Sequence, residues 1–195
     1  MITCEQHMFG PLLCKTTLNN EDVNKVKKLC SKKNKDARDS LAGIIDNEYI
    51  IDEKKYAQIL SPYFQPFKTA FDSWYNTNLS KLQCNSAWVN YMKSGESNPP
   101  HVHTNCQLST VLYLQIPSGL KKENKKYKGR SAGPGSVVFT YGDSRDYTVD
   151  EKSFLPVKGD FFVFPYNLKH YVSPFKSKGE RISVSANFKI LWNLH

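Results

Sequence analysis

From Cys84 onward the chain is a series of short apolar segments broken by turn residues, and this texture constrains the fold more than any other feature. The segments are "SAWVNYM", "LSTVLYLQI", "GSVVFTY", "DYTV", "DFFVFP", "KHYVS" and "RISVSANFKILW". In an extended strand successive side chains point to opposite faces, so Ala87, Val89 and Tyr91 share one face of the first segment and Trp88 and Asn90 the other. Strands this short, punctuated this regularly, predict an antiparallel sandwich or barrel.

The first 82 residues read differently. "HMFGPLLCKTTL" predicts an edge strand, and "NNEDVNKVKKLCSKK" a short helix capped by Asn19 or Asn20, with Val23, Val26, Leu29 and Cys30 on one stripe. A loop around "DNEYIID" leads to a second helical region, Glu53 to Leu79. There Phe64, Phe67, Phe71 and Trp74 recur at helical spacing, and Pro62 and Pro66 sit where a helix starts or breaks. That aromatic stripe is expected in the core. The expected organisation is a single domain over 1–195, mainly β with α: residues 1–82 as helical support with an edge strand, and 83–195 as the β-barrel that carries the chemistry.

Composition narrows the setting. At 195 residues the chain is long enough for one well-buried core. No run approaches the ~18 apolar residues of a membrane span, and "MITCEQHMFGPLLCKTTL" lacks the basic start of a signal peptide. Five scattered cysteines without a CxxC spacing argue against a disulfide scaffold or zinc ribbon and suit reduced thiols. A soluble, cytoplasmic protein with no membrane partner is the expectation. Its Lys- and Asn-rich composition suits an AT-rich genome, viral or bacterial. The formal charge of +9 is concentrated in "KVKKLCSKKNK" and "KKENKKYKGR". It leaves two readings open, a solvated surface or an acidic partner such as nucleic acid.

The chemistry gathers on histidines. "NPPHVH" places His101 and His103 two residues apart, on one face of a strand, a geometry suited to chelating one cation. "LPVKGDFFVFPYNLKHYVSP" adds a tight turn at Lys158-Gly159-Asp160, an apolar strand and then His170. Arg181 follows at the head of the last long strand. His170 is the candidate third ligand.

These motifs, with "WVNYMKSGESNPPHVH", "LSTVLYLQIP" and "RISVSANF", resemble the iron(II)/2-oxoglutarate-dependent dioxygenases, specifically their prolyl-hydroxylase-like group, over roughly Ala87 to Phe188. The resemblance implies a double-stranded β-helix, a jelly-roll variant, backed by the N-terminal helices. It also implies an oxygenase of the hydroxylase type, with Fe(II) as cofactor and 2-oxoglutarate and O₂ as co-substrates. His101, His103 and His170 would be the metal ligands. Arg181 would hold the far carboxylate of 2-oxoglutarate, with Ser183, Tyr113 and Tyr91 as further co-substrate contacts. No catalytic residue beyond the metal ligands is implied.

The usual motif in that family is His-x-Asp/Glu…His, and His103 stands at the carboxylate position. A cupin site is the first alternative. Gly95, His101 and His103 suit it, but Gln107 replaces its glutamate, and Gly159 and His170 are too far apart for its second motif. A zinc-binding three-histidine barrel is the second alternative. A catalytically inactive binding or structural relative is the third. The primary substrate stays open between peptide, small molecule and nucleic acid, and the basic loop Lys121–Arg130 has no assigned role. A homodimer through basic, aromatic-rich edges is a further expectation.

Overall fold

Local rules place the N-terminal elements. The computed structural model describes residues 10–143 and 145–191. After β1 (Cys14–Thr17), Asn19 caps α1 (Asn20–Leu29), its side chain accepting from the Asp22 amide at 2.8 Å. Glu21 and Asp22 in the first turn and Lys27 and Lys28 in the last favour the helix dipole, while Val23 and Val26 are buried. A three-residue strand, β2 (Glu48–Ile50), follows where the sequence read as loop. Asp52 then caps α2 (Glu53–Leu60). Pro62 lies in a 3-10 turn over Ser61–Phe64, and Pro66 in the first turn of α3 (Gln65–Tyr75), where a missing amide proton costs nothing. The helix ends at Asn76, in left-handed backbone with φ 50°. Phe64 and Phe67 are buried and Phe71 partly so, but Trp74 is 40% exposed, so the expected core stripe stops one residue short.

The remaining chain is mostly strand: β3 (Lys81–Met92), β4 (Asn98–His101), β5 (Leu108–Gln115), β6 (Val137–Thr140), β7 (Glu151–Phe154), β8 (Asp160–Pro165), β9 (Lys169–Val172) and β10 (Arg181–Leu191). One short helix, α4 (Leu120–Lys126), interrupts them within the segment expected to be a loop tip. Two expectations need correction. "DYTV" is not a strand; pairing with β6 begins at Glu151, two residues later. The edge strand near the N-terminus is confined to Cys14–Thr17, and residues 7–9 of "HMFGPLLCKTTL" lie outside the described residues, as does Trp192.

All pairings are antiparallel, in a six-stranded sheet of order β1-β8-β5-β10-β3-β2 and a four-stranded sheet of order β4-β9-β6-β7. This is the expected jelly roll. On the outer face of the large sheet, Val89, Leu112, Val184, Ala186 and Phe188 pack against Val23, Val26, Tyr56, Leu60, Phe64 and Phe67 from the helices. Each fully buried side chain of Val or Leu size contributes about 1.5–3 kcal/mol. A second cluster, with Tyr113, Val137, Phe139, Phe162, Phe164 and Leu168, fills the space between the sheets.

The Lys158-Gly159-Asp160 turn has a structural task. Gly159 has φ +92°, and a Cβ there would stand 2.9 Å from the Leu18 carbonyl oxygen. Buried Asp160 accepts from the Val157 amide at 3.0 Å and pairs with Lys15 at 3.0 Å, tying β8 to β1. Among the described residues no helix is long and apolar enough to cross a membrane. Cys14, Cys30, Cys84 and Cys106 are free thiols, and burial pushes Cys30 and Cys84 up to about 12.

Candidate active site

The two sheets bring together residues far apart in sequence. β4 and β9 pair with His101 opposite His170, and His103 lies two residues past the end of β4, its amide donating to the Tyr166 carbonyl at 2.9 Å. The three imidazoles each offer a nitrogen, and these lie within 4.8 Å of one another. No other such group of three His, Cys, Asp or Glu occurs among the described residues.

The protonation pattern prepares these rings for a cation. His101 Nδ1 donates to the Pro99 carbonyl at 2.7 Å, and His170 Nδ1 to the Leu168 carbonyl at 2.9 Å. Each bond leaves a lone pair on Nε2, the usual way a protein fixes a ligand tautomer. Burial pulls all three pKa values down, to about 4 for His103 and about 3 for His170, where neighbouring imidazoles add to the effect, and at His101 against the opposing hydrogen bond to Pro99. The rings are therefore neutral at neutral pH. His103 Nε2 and His170 Nε2 stand 3.2 Å apart. Two nitrogens each ~2.1 Å from one ion, at a right angle, would be ~3.0 Å apart. The donor set fits a divalent transition metal. Asn187, itself accepting from Ser109 Oγ at 3.0 Å, hydrogen-bonds His103, and Trp88 lies 5.7 Å from its ring.

The inner face of the large sheet lies opposite. Arg181 and Ser183 alternate along β10, with Ser183 paired to Tyr113 on one side and Asn90 on the other. A register shift between Ile182 and Ser183 bends the pairing beside the arginine. Arg181 is 2% exposed, donates from Nη2 to Tyr113 Oη at 2.9 Å, and lies 4.6 Å over the Tyr113 ring. Its Nε has no partner, and no carboxylate pairs with it among the described residues. An isolated buried guanidinium is costly without an anion, and its planar fork matches a carboxylate. Arg181, Ser183, Tyr113 and the three histidines line one narrow cavity.

Tyr91 does not join them. It pairs with Ile182, and both project to the opposite face. There Tyr91 stands edge-on to Tyr49, with Lys32 Nζ 4.9 Å over its ring. The expectation for Tyr91 is corrected by register: its neighbour Asn90 faces the cavity, with an unpartnered Oδ1. Asn90 was legible as the companion of Trp88 on the other face of the strand. Asn187 and Glu48 were not singled out by any motif.

The basic loop is also located. Lys121, Lys122, Lys125 and Lys126 are exposed on α4, which docks through buried Leu120 and through Glu123, whose carboxylate accepts from the Lys176 and Ser177 amides. None of these lysines lines either cavity beside the histidines.

Comparisons with known proteins identify the family and the fold. The model of the family described as "Putative 2OG-Fe(II) oxygenase" matches residues 86–187. No curated protein matches the sequence. Among solved structures, a Pseudomonas putida prolyl-4-hydroxylase is similar at 19% identity and a TM-score of 0.61, over 92% of this chain and 93% of its own. The viral collagen prolyl hydroxylase of Paramecium Bursaria Chlorella virus-1, solved with 2OG, is similar at 14% identity and a TM-score of 0.53, over 92% and 96%. A Trichoplax adhaerens prolyl hydroxylase is similar at 13% identity and a TM-score of 0.58, over 91% and 83%. At these identities the likeness is one of fold. The family match covers more than half of the chain, from the strand bearing Trp88 and Asn90 through all three histidines to Arg181 and Asn187, and the protein belongs to the 2OG-Fe(II) oxygenases, enzymes dependent on iron(II) and 2-oxoglutarate.

Proposed function

We propose that His101, His103 and His170 hold the iron of this oxygenase and that Arg181, with Tyr113 and Ser183, holds its 2-oxoglutarate. The observation that carries this reading is the buried Arg181, without an acidic partner among the described residues, in one cavity with three neutral imidazoles. When bound, iron(II) supplies oxygen activation coupled to oxidative decarboxylation of 2-oxoglutarate, with succinate and CO₂ as products and oxidation of a substrate C–H bond.

The chain's own residues have separate tasks. The carbonyls of Pro99 and Leu168 keep the Nδ1 protons of His101 and His170, so that Nε2 is free to ligate. Arg181 orients the far carboxylate, and the Tyr113 hydroxyl, which accepts from Arg181, keeps a proton of its own to donate. Phe139, Phe162 and Phe164 keep the region behind the histidines dry. His103 in place of a carboxylate leaves the metal with one more positive charge, which strengthens its hold on an anionic chelator.

A hydroxylase acting on a peptide or small molecule is favoured over one acting on nucleic acid, because the lysines of α4 lie away from both cavities. The test is anaerobic addition of iron(II) and then 2-oxoglutarate to metal-free protein. A weak visible charge-transfer band is expected; His103→Ala should weaken it and His103→Asp retain it. No band, with tight zinc binding in its place, would overturn the proposal.

A further inference from the structure

Beside the histidines opens a larger cleft of about 560 Å³, bounded by Ala37, residues 40–43, β2, residues 85–88 in the middle of β3, and residues 101–105. Its charge is unexpected for a chain of net +9: the charged residues lining it are Glu48 and Glu53, with no lysine or arginine. Glu48 is the unusual one. It is 1% exposed, its Oε2 has no hydrogen-bond partner, and no cation pairs with it among the described residues. The nearest guanidinium, Arg38, is engaged by Asp36 at 2.6 Å.

The backbone makes room for this carboxyl group. Glu48 sits opposite Asn90 in the β2–β3 pairing, and Ile50 opposite Trp88, so Glu48 follows the same inward parity as the site residues of β3. Over it lies Gly43, where a Cβ would stand 2.7 Å from Oε1. Any side chain there would crowd the carboxyl group. Burial, then the charges of Glu96 and Asp36, push the Glu48 pKa up to about 7 against the smaller opposing pull of Arg38, so near neutrality it is poised to ionise beside a cation. Trp88, on the same cleft wall, offers the kind of aromatic surface that attracts cations.

We propose that Glu48 selects the primary substrate, which carries a basic nitrogen, a primary amine or guanidinium, that enters the cleft to pair with this carboxylate while the rest of the molecule reaches the histidines. This rests on the oxygenase reading of those histidines. A polyanion is the wrong complement for such a cleft, and the exposed lysines of α4 are left to the solvent.

The test uses small probes and full-length protein loaded with iron(II) and 2-oxoglutarate without oxygen. Nα-acetyl-lysine amide, Nα-acetyl-arginine amide and spermidine are titrated calorimetrically against the uncharged norleucine and citrulline counterparts of the first two. The cationic probes should bind about tenfold tighter or more than the neutral ones, the worth of one charge-assisted hydrogen bond. Glu48→Gln should erase that preference, and Gly43→Ala should reduce it. Tighter binding of spermidine than of the amino-acid amides would identify a free polyamine as the source of the nitrogen, and the reverse a side chain. Equal binding of charged and neutral probes by the wild type, no binding of the cations at millimolar concentration, or a preference that survives Glu48→Gln overturns the proposal. The visible iron–2-oxoglutarate band of the wild type is read separately. Its absence alongside an intact cation preference sinks the oxygenase reading of the site and leaves the cation pocket standing.

Discussion

The two faces of the large sheet are built from the same strands and have opposite character. On β3, β5 and β10, one parity gives Val89, Leu112, Val184 and Phe188, packed dry against the helices; the other gives Asn90, Tyr113, Arg181 and Ser183, turned toward the histidines. The outer face holds the fold together by burying apolar area. The inner face collects polar groups whose partners are missing: Arg181 Nε, Asn90 Oδ1 and, on β2, Glu48 Oε2. Buried groups left this way weaken a fold and gain by binding something. A period of two therefore separates stability from function within a single strand.

The sharpest way to break this division is to damage the outer face alone. Phe188→Ala removes a ring that stands edge-on to Phe64 at 4.9 Å and should cost about 3–5 kcal/mol in chemical denaturation. The iron–2-oxoglutarate band should stay unchanged while the protein remains folded.

Damage to the inner face should show the reverse. Arg181→Leu takes away a buried guanidinium that no acid balances among the described residues, so unfolding without ligand should be unchanged or up to about 2 kcal/mol harder. The affinity for 2-oxoglutarate should fall about a hundredfold. A large loss of stability in the ligand-free variant would show that Arg181 belongs with the structural face.

Glu48 sharpens the comparison through pH. Its folded pKa of about 7 lies above the ordinary carboxyl value of 4.5, so the folded state holds a proton that the unfolded state has released. The contribution of Glu48 to stability is full below about pH 4.5 and is lost as pH rises through 7. Glu48→Gln should remove that slope and be the more stable protein at pH 8 by about 2 kcal/mol, a figure discounted for water in the open cleft. Urea denaturation at a series of pH values checks this.

The smallest effects come from two tyrosines on opposite faces. Tyr113→Phe should weaken 2-oxoglutarate binding about tenfold, through the lost hydroxyl beside Arg181. Tyr91→Phe, on the helix side, should leave it unchanged. Equal losses would mean that the register does not separate the two roles.

What was legible in the sequence follows the same physics. Alternation within a strand marked Arg181 with Ser183, because parity inside one strand is a local property; His101 and His103 were marked by their spacing alone, since β4 ends at His101 and His103 is held by its own amide bond to the Tyr166 carbonyl. Parity between strands depends on register, which no single strand encodes, and so Tyr91 and Tyr113 looked equivalent until Tyr91 was found opposite Ile182. β2 was invisible for a related reason: three residues show no period, and only pairing to β3 makes "EYI" a strand and turns Glu48 inward. α4 is seven residues of mostly lysine, held by Leu120 and Glu123 through contacts distant in sequence. The helices α1 and α3 were readable from their caps, prolines and apolar spacing, all local signals.

The central claim is that Arg181 holds the far carboxylate of 2-oxoglutarate opposite a three-histidine iron site. The most direct measurement compares anaerobic binding of 2-oxoglutarate and of 2-oxopentanoate, which lacks that carboxylate, to iron-loaded wild type and Arg181→Leu, both followed by the visible chelate band. The wild type should prefer 2-oxoglutarate about a hundredfold, and Arg181→Leu should bind the two acids alike with the band still present. A preference that persists in Arg181→Leu would place the anion elsewhere and contradict the account.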